Sequence, residues 1–149
     1  MNNKDLKLFN EALELTKGEF FIDSISILKK LFKTTKDDEI KDDILYNIGI
    51  CYFKINDFED ALSYFNQVLD LYPDGKILTT ESQNEYGKIS EKCHYGIVNC
   101  YLCMNKLDLA NAKLSDFEDG DESFIIHSGG EKITFKKLAE DLIGNFLNK

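Results

Sequence analysis

The chain reads as an all-α protein made of antiparallel helical hairpins in series. Three observations predict this. Apolar residues recur at three- and four-residue spacing through stretches such as "LYNIGICYFKINDFEDALSYF", Leu45 to Phe65. Turn-favouring residues, here Asn56-Asp57, interrupt that spacing before it resumes. Proline occurs once, as Pro73 at the end of such a stretch, and scarce proline suits a mostly helical chain.

Composition bounds the class. The 149 residues amount to one domain's worth of chain, long enough to bury a core without metal or disulfide staples. Hydrophobic residues make up 43% and charged residues 30%, a globular profile. No apolar run approaches the roughly 20 residues that span a bilayer. The opening "MNNKDLKLFNEALELT" has neither a continuous apolar segment nor a small-residue cleavage site, so a cytoplasmic location is expected. The net charge is −9 and all 18 basic residues are Lys. Without Arg there is no guanidinium fork for phosphates or guanine edges, and acidity opposes binding to nucleic acid or anionic membranes. A partner segment that is apolar or basic fits better. The four cysteines, Cys51, Cys93, Cys100 and Cys103, are expected as reduced thiols.

The best-patterned stretch pairs two amphipathic helices. Ile44, Leu45, Ile48, Cys51, Tyr52 and Ile55 form one apolar face; Phe58, Ala61, Leu62, Phe65, Val68, Leu69 and Tyr72 form the next. Gly49 and Ala61 are small where two helices must approach closely. Leu45, Ile48, Gly49, Tyr52, Phe58, Ala61, Phe65, Val68 and Pro73 together resemble the tetratricopeptide repeat (TPR), a family whose period is about 34 residues. Leu45 stands at the position that is typically Trp, and Val68 at a position that is typically Ala.

A repeat must recur. Downstream, Cys100, Tyr101, Asn105, Leu107, Ala110 and Leu114 align with Cys51, Tyr52, Asn56, Phe58, Ala61 and Phe65, with Val98 in the glycine position. Upstream, Ala12, Leu15, Phe21, Ser24, Leu28 and Leu31 align more weakly. The resemblance therefore implies a right-handed stack of three TPR hairpins in a single domain, 1–149, with copies at about 5–38, 42–75 and 91–120, an insert at 76–90, and 121–149 beyond the last copy. Thr80 and Gln83 form a capping-box pattern, so an extended first helix of the third copy is expected from near Glu81, carrying Tyr86, Ile89, Cys93 and Ile97 as its stripe. The second copy's first helix is expected to begin near Asp37. In the tail, Ser128-Gly129-Gly130 between short apolar runs predicts a β-hairpin, and Thr134 is placed to cap a final helix with Phe135, Leu138, Ala139, Leu142, Ile143, Phe146 and Leu147 on one face. A repeat stack needs such a helix to close its last apolar face; left unclosed, that face would let the helix swap between chains and give a homo-oligomer.

Candidate chemistry is sparse. Cys93, Cys100 and Cys103 fall within about 80° of one another on a helix, which would allow a thiol or metal site. Against it, a structural zinc site takes four ligands, a redox Cys pair belongs to a βαβ setting, and Cys51 and Cys100 share one small-residue packing position. His94 and His127 lack a nucleophile arrangement, and His127 is expected at the surface. Gly129-Gly130 lacks the elements of a phosphate loop, and "FEDGDE", Phe117 to Glu122, lacks the ligand spacing of a calcium loop. No enzyme, cofactor or metal is expected.

The resemblance directs attention to a concave groove lined by the first helix of each copy. It implies Tyr46, Asn47, Ile50 and Phe53 from the second copy, Lys92, Tyr95, Asn99 and Leu102 from the third, and Phe9, Asn10, Leu13 and Lys17 from the first. Of these, Asn10, Tyr46, Asn47, Ile50, Phe53, Lys92, Tyr95 and Asn99 are the candidate partner-binding residues. Asn amides serve both donor and acceptor of a peptide backbone, and aromatic neighbours supply anchors. The family's carboxylate clamp for acidic chaperone tails is matched only by Asn47 and Lys92, with Phe9, Leu13 and Gly96 at its other positions, so that specificity is not expected. The implied function is non-enzymatic: a protein-interaction module, adaptor or assembly factor, binding a peptide or helix. Small size, acidity and three repeats also resemble dedicated secretion chaperones.

Overall fold

The computed structural model describes residues 2–78 and 84–148. Among these are seven α-helices and three short strands. They run α1 (Asn3–Lys17), α2 (Phe21–Thr34), α3 (Asp38–Lys54), α4 (Phe58–Leu71), β1 (Glu85–Tyr86), α5 (Ile89–Cys103), α6 (Leu107–Lys113), a 3-10 turn (Leu114–Asp116), β2 (Phe124–Ile126), β3 (Lys132–Thr134) and α7 (Phe135–Leu147). The chain forms two compact units, Met1–Tyr72 and Pro73–Lys149.

Three hairpins, α1/α2, α3/α4 and α5/α6, close on the same turn. Each turn holds one residue in the left-handed region: Glu19 at φ 67°, Asn56 at φ 65° and Asn105 at φ 60°. In each, two backbone N–H groups reach back into the finished helix. Glu19 donates to Thr16 O and Phe20 to Leu15 O; Asn56 to Phe53 O and Asp57 to Tyr52 O; Asn105 to Leu102 O and Lys106 to Tyr101 O, all at 2.8–3.0 Å. This double bond satisfies carbonyls that a helix end would otherwise leave bare. The left-handed residues lie 37 positions apart from Glu19 to Asn56 and 49 from Asn56 to Asn105. Those are the offsets given by the small residues Ser24, Ala61 and Ala110, so the repeat register is the one the sequence alignment assigned.

In the first unit, α1 packs on α2, α2 on α3, and α3 on α4. The core is Phe9, Ala12, Ile25, Leu28, Leu31, Ile40, Ile44, Leu45, Ile48, Cys51, Ala61, Phe65 and Val68, all buried. The equivalent positions differ in size among the three copies. Gly49 meets Phe65 so closely that a Cβ there would sit 2.7 Å from the ring. The first copy has Ala12 and Leu28 at these positions, both fully buried. The third has Val98 and Leu114; there the second helix ends at Lys113, and Leu114 is half-buried in the 3-10 turn. Lys29 of α2 ties the unit together polarly: its Nζ donates to Tyr52 Oη at 2.7 Å and lies over the stacked rings of Tyr52 and Tyr64. Helix α3 starts where expected, with Asp37 as N-cap accepting from Glu39 N at 3.0 Å.

In the second unit, α5 packs against α6 and α7. Thr134 caps α7, its Oγ1 accepting from Lys137 N at 3.1 Å. Phe135, Ala139 and Ile143 bury their side chains, while Leu147, at the end of the expected stripe, is 58% exposed. The tail hairpin is present, β2 pairing antiparallel with β3, but it is two-thirds of a larger sheet with strand order β1-β2-β3. This corrects the reading of the insert. The Thr80–Gln83 capping box and Glu81 lie outside the described residues, but Tyr86, expected in a helix, is in a strand paired with Phe124, and α5 begins at Ile89. Gly87 is the reason. It adopts φ +108°, and a Cβ there would come within 2.4 Å of the Ser123 backbone. Ser123 Oγ then accepts from Lys88 N at 3.0 Å, fixing the start of the helix. A capping box is a local signal, and here a tertiary contact sets the boundary.

The Gly49–Phe65 crossing gives a direct test. Gly49→Ala forces the fully buried Phe65 to shift, and urea unfolding is expected to show a loss of about 1–3 kcal/mol despite alanine's better helix propensity. A gain in stability would mean that the crossing has slack.

Candidate functional site

The candidate residues separate by unit. In the first, Tyr46, Asn47, Ile50 and Phe53 share the face of α3 opposite its core stripe, and all four are half-buried. Tyr46 lies 5.7 Å from the Phe65 ring, and Phe53 meets Phe58 edge-on at 5.5 Å. These rings are held in place by α4 while keeping one side open. Asn47 Nδ2 donates to Asp43 O at 2.8 Å, so its amide is partly engaged within α3. Helix α1 lies alongside, with Thr16 Oγ1 3.4 Å from Cys51 Sγ. Asn10 on α1 is half-buried; its Oδ1 is closed off from solvent and has no hydrogen-bond partner among the described residues. Phe9 is only 4% exposed and belongs to the core, not to a lining.

Sequence reasoning passed over two acids on the same helix. Asp43 precedes Asn47 by one turn, and Asp42 is its neighbour; both are buried. Asp42 Oδ1 accepts from Asp43 N at 2.7 Å, and burial pushes the Asp42 carboxyl above its ordinary range. The i, i+4 relation of Asp43 to Asn47 was the available signal.

In the second unit, Lys92, Tyr95 and Asn99 are half-buried on one face of α5, whereas Leu102 is buried. Lys92 Nζ is engaged by Glu85 of β1 at 3.0 Å. Both residues that matched the carboxylate clamp, Asn47 and Lys92, thus hold internal partners.

The cysteines do not converge. Cys51, Cys93 and Cys100 are buried, and Cys103 is exposed, contrary to a uniform packing role. Burial, with Cys103 nearby, pushes the Cys100 thiol up to about 12, which removes its nucleophilic form at neutral pH. Among the described residues no three His, Cys, Asp or Glu groups gather as metal ligands.

A polar cluster behind α5 was also unforeseen. Glu91, 4% exposed, accepts from Glu118 N at 3.1 Å through Oε1, and its Oε2 lies 3.9 Å from His94 Nε2. His94 packs on the buried Phe117 at 5.4 Å. So the "FEDGDE" segment is anchored at its first two residues rather than being a fully solvated turn. Burial raises the Glu91 carboxyl to about 7, and Glu118 both opposes this through its N–H and adds to it through its charge. Burial, then the charge of Lys113, lowers His94 to about 4.

This fold is that of a helical-repeat protein. The tetratricopeptide-repeat family model matches residues 43–74, the α3/α4 hairpin, and the chain carries that repeat. No curated protein matches the sequence. Fourteen solved chains match the fold. One is the crystal structure of PcrH from Pseudomonas aeruginosa, with TM-score 0.67 and 11% identity over 99% of this chain and 94% of that chain. At that identity the likeness is one of fold.

The two shifted groups have opposite signs in their linkage to stability. Glu91, raised when folded, contributes stability that is present at acidic pH and lost as pH rises from about 4.5 through about 7. His94, lowered when folded, contributes stability that is present above about 6.5 and lost as pH falls towards about 4. Between pH 5 and 6.5 the two slopes oppose each other. Relative to wild type, Glu91→Gln is expected to make stability climb more steeply with pH in that window, and His94→Phe to make it fall, each by up to about 1.4 kcal/mol per pH unit. Parallel pH–stability curves for all three proteins would show that neither group is held as described.

Proposed function

We propose that the chain is a non-enzymatic, cytoplasmic interaction module whose α3 face receives a peptide or helix of a partner protein. The observation that carries this reading is the half-buried strip Tyr46, Asn47, Ile50 and Phe53 on one face of α3, with its two aromatic rings braced by rings of α4. Braced aromatics make good anchors because little side-chain freedom is lost on binding. The net charge of −9 favours a ligand that joins apolar residues to a basic one. Asn10 on α1, and Lys92, Tyr95 and Asn99 on α5, are further candidate contacts.

A second reading, a dedicated chaperone of the small acidic secretion type, is favoured by the fold match with PcrH, which extends over nearly the whole of both chains. Both readings use the α3 face and differ in the partner's fate. An adaptor leaves its partner folded and active; a chaperone holds it until release.

The test pairs capture with measurement. Partners retained on immobilised wild-type protein are identified, and the affinity of the main partner is then measured for Ile50→Asp and for Asn47→Ala with Tyr95→Ala. Ile50→Asp is expected to weaken binding at least about 10-fold with thermal unfolding unchanged. Unchanged affinity in both variants would place the binding site elsewhere.

A further inference from the structure

In the second unit a short strap closes over ionisable side chains of α5. Its two ends are fixed by the buried Phe117 and Ser123. Between them, Asp119, Gly120, Asp121 and Glu122 are exposed, and nothing crowds Gly120. Among the described residues, residues 118–122 make one hydrogen bond to α5, from Glu118 N to Glu91 Oε1 at 3.1 Å. Asp119 and Asp121 meet Lys136 and Lys132 at the outer limit of ion pairing, 3.9 and 4.0 Å, and such surface pairs hold little.

Beneath the strap the charges do not cancel. The groups that face Glu91 are Glu118 from the strap, Lys88 and His94 from α5, and Lys136 from α7. Lys136 lies nearest Asp119, Lys92 of α5 is taken by Glu85 of β1, and Lys113 of α6 by Asp116 of the 3-10 turn. Among the described residues, then, no lysine reaches ion-pair distance of Glu91. Glu118 Oε1 and His94 Nδ1 are closed off from solvent without a hydrogen-bond partner. Ionising Glu91 there sets a charge beside a second carboxyl, with little water and no counter-ion. Rehydration relieves it. Lifting residues 118–122 does this by breaking one hydrogen bond, while Phe117 stays seated on His94 and keeps it covered.

We propose that residues 118–122 form a pH-governed strap, closed over α5 while Glu91 carries its proton and lifted when Glu91 loses it. Burial raises the Glu91 carboxyl to about 7 under the closed strap, and lifting returns it towards its ordinary 4.5. The open form therefore gains as pH rises through that range, and the gain levels off above about 7.

Amide hydrogen exchange of the full chain, followed by NMR and corrected for the intrinsic rate at each pH, reads the opening. The Glu118 amide is expected to lose protection about 10-fold between pH 6 and pH 8, while amides in the middle of α5 stay far better protected at both. Glu91→Gln keeps an acceptor for that amide and removes the ionisation, so its protection is expected to be flat over the same range. Should that variant misfold, the wild type supplies the second measurement: the Glu91 carboxyl carbon is expected to titrate with the same midpoint as the loss of Glu118 protection. The proposal is overturned by a wild-type Glu118 amide whose protection is flat, by a loss that persists in Glu91→Gln, by midpoints that differ, or by a Glu118 amide that exchanges only together with the middle of α5.

Discussion

Everything in this fold follows from a backbone reversal made three times through one left-handed residue. The reversal fixes which residue of the first helix faces which residue of the second, because both flanking N–H groups are bonded back into the finished helix. Once that register is set, positions seven before the turn residue and nine after it must share one small volume. The chain solves that constraint differently each time: Gly with Phe, Ala with Leu, Val with Leu. Where the first partner is largest, as at Val98, the second helix is shortest and its large residue is only half-buried. The quality of each copy thus tracks a steric sum. None of the three left-handed residues is a glycine; asparagine tolerates that conformation best, and Glu19 holds it with Gly18 beside it.

The same register decides which side chains remain available to a partner. With Ile44, Ile48 and Cys51 turned inward, Tyr46, Asn47, Ile50 and Phe53 have nowhere to go but the opposite face of α3. Tyr46 and Phe53 are braced by rings of α4, so the proposed recognition and stability draw on the same aromatics. Phe65 is the shared element: it fills the space left by Gly49 and supports Tyr46. The cysteines fall on the other side of this division. Cys51 and Cys100 occupy one repeat position, fully buried, where a small polarizable group packs between helices. Cys103, three residues on, is turned outward.

Much of this was legible in the sequence because helical periodicity and turn chemistry are local. The hairpins, the offsets of 37 and 49 residues, the Asp37 and Thr134 caps and the tail hairpin all follow from residues close together in the chain. What escaped was set by contacts distant in sequence. The strand at Glu85–Tyr86 exists because Phe124 and Ile125 pair with it, and a two-residue strand has no periodicity to detect. Phe9 is at a position that the repeat resemblance assigns to the lining, but the repeat pattern is weakest in the first copy and there the residue is buried in the core. The Glu91–His94–Glu118 cluster joins residues on α5 to a segment beyond α6, and an acidic run beside a glycine looks solvated until something is found to bury it. At the candidate face, the positions on α3 were readable, but the internal bonds of Asn47 and Lys92 were not, since each depends on the neighbour's geometry.

The contact between Gly87 and Ser123 bears on how the chain is made as well as how it is held. The packing of the first unit links helices adjacent in sequence, so it can be completed while the remainder is still being synthesised. In the second unit, the segment that starts α5 is fastened by Ser123 and by strand β2, and α5 is covered by α7, the last helix of the chain. Until the ribosome has released those residues, α5 has its buried cysteines and isoleucines uncovered. The α5 segment is therefore the part of the nascent protein with the longest wait for its packing partners, and a chain truncated before Phe135 would carry that exposure permanently.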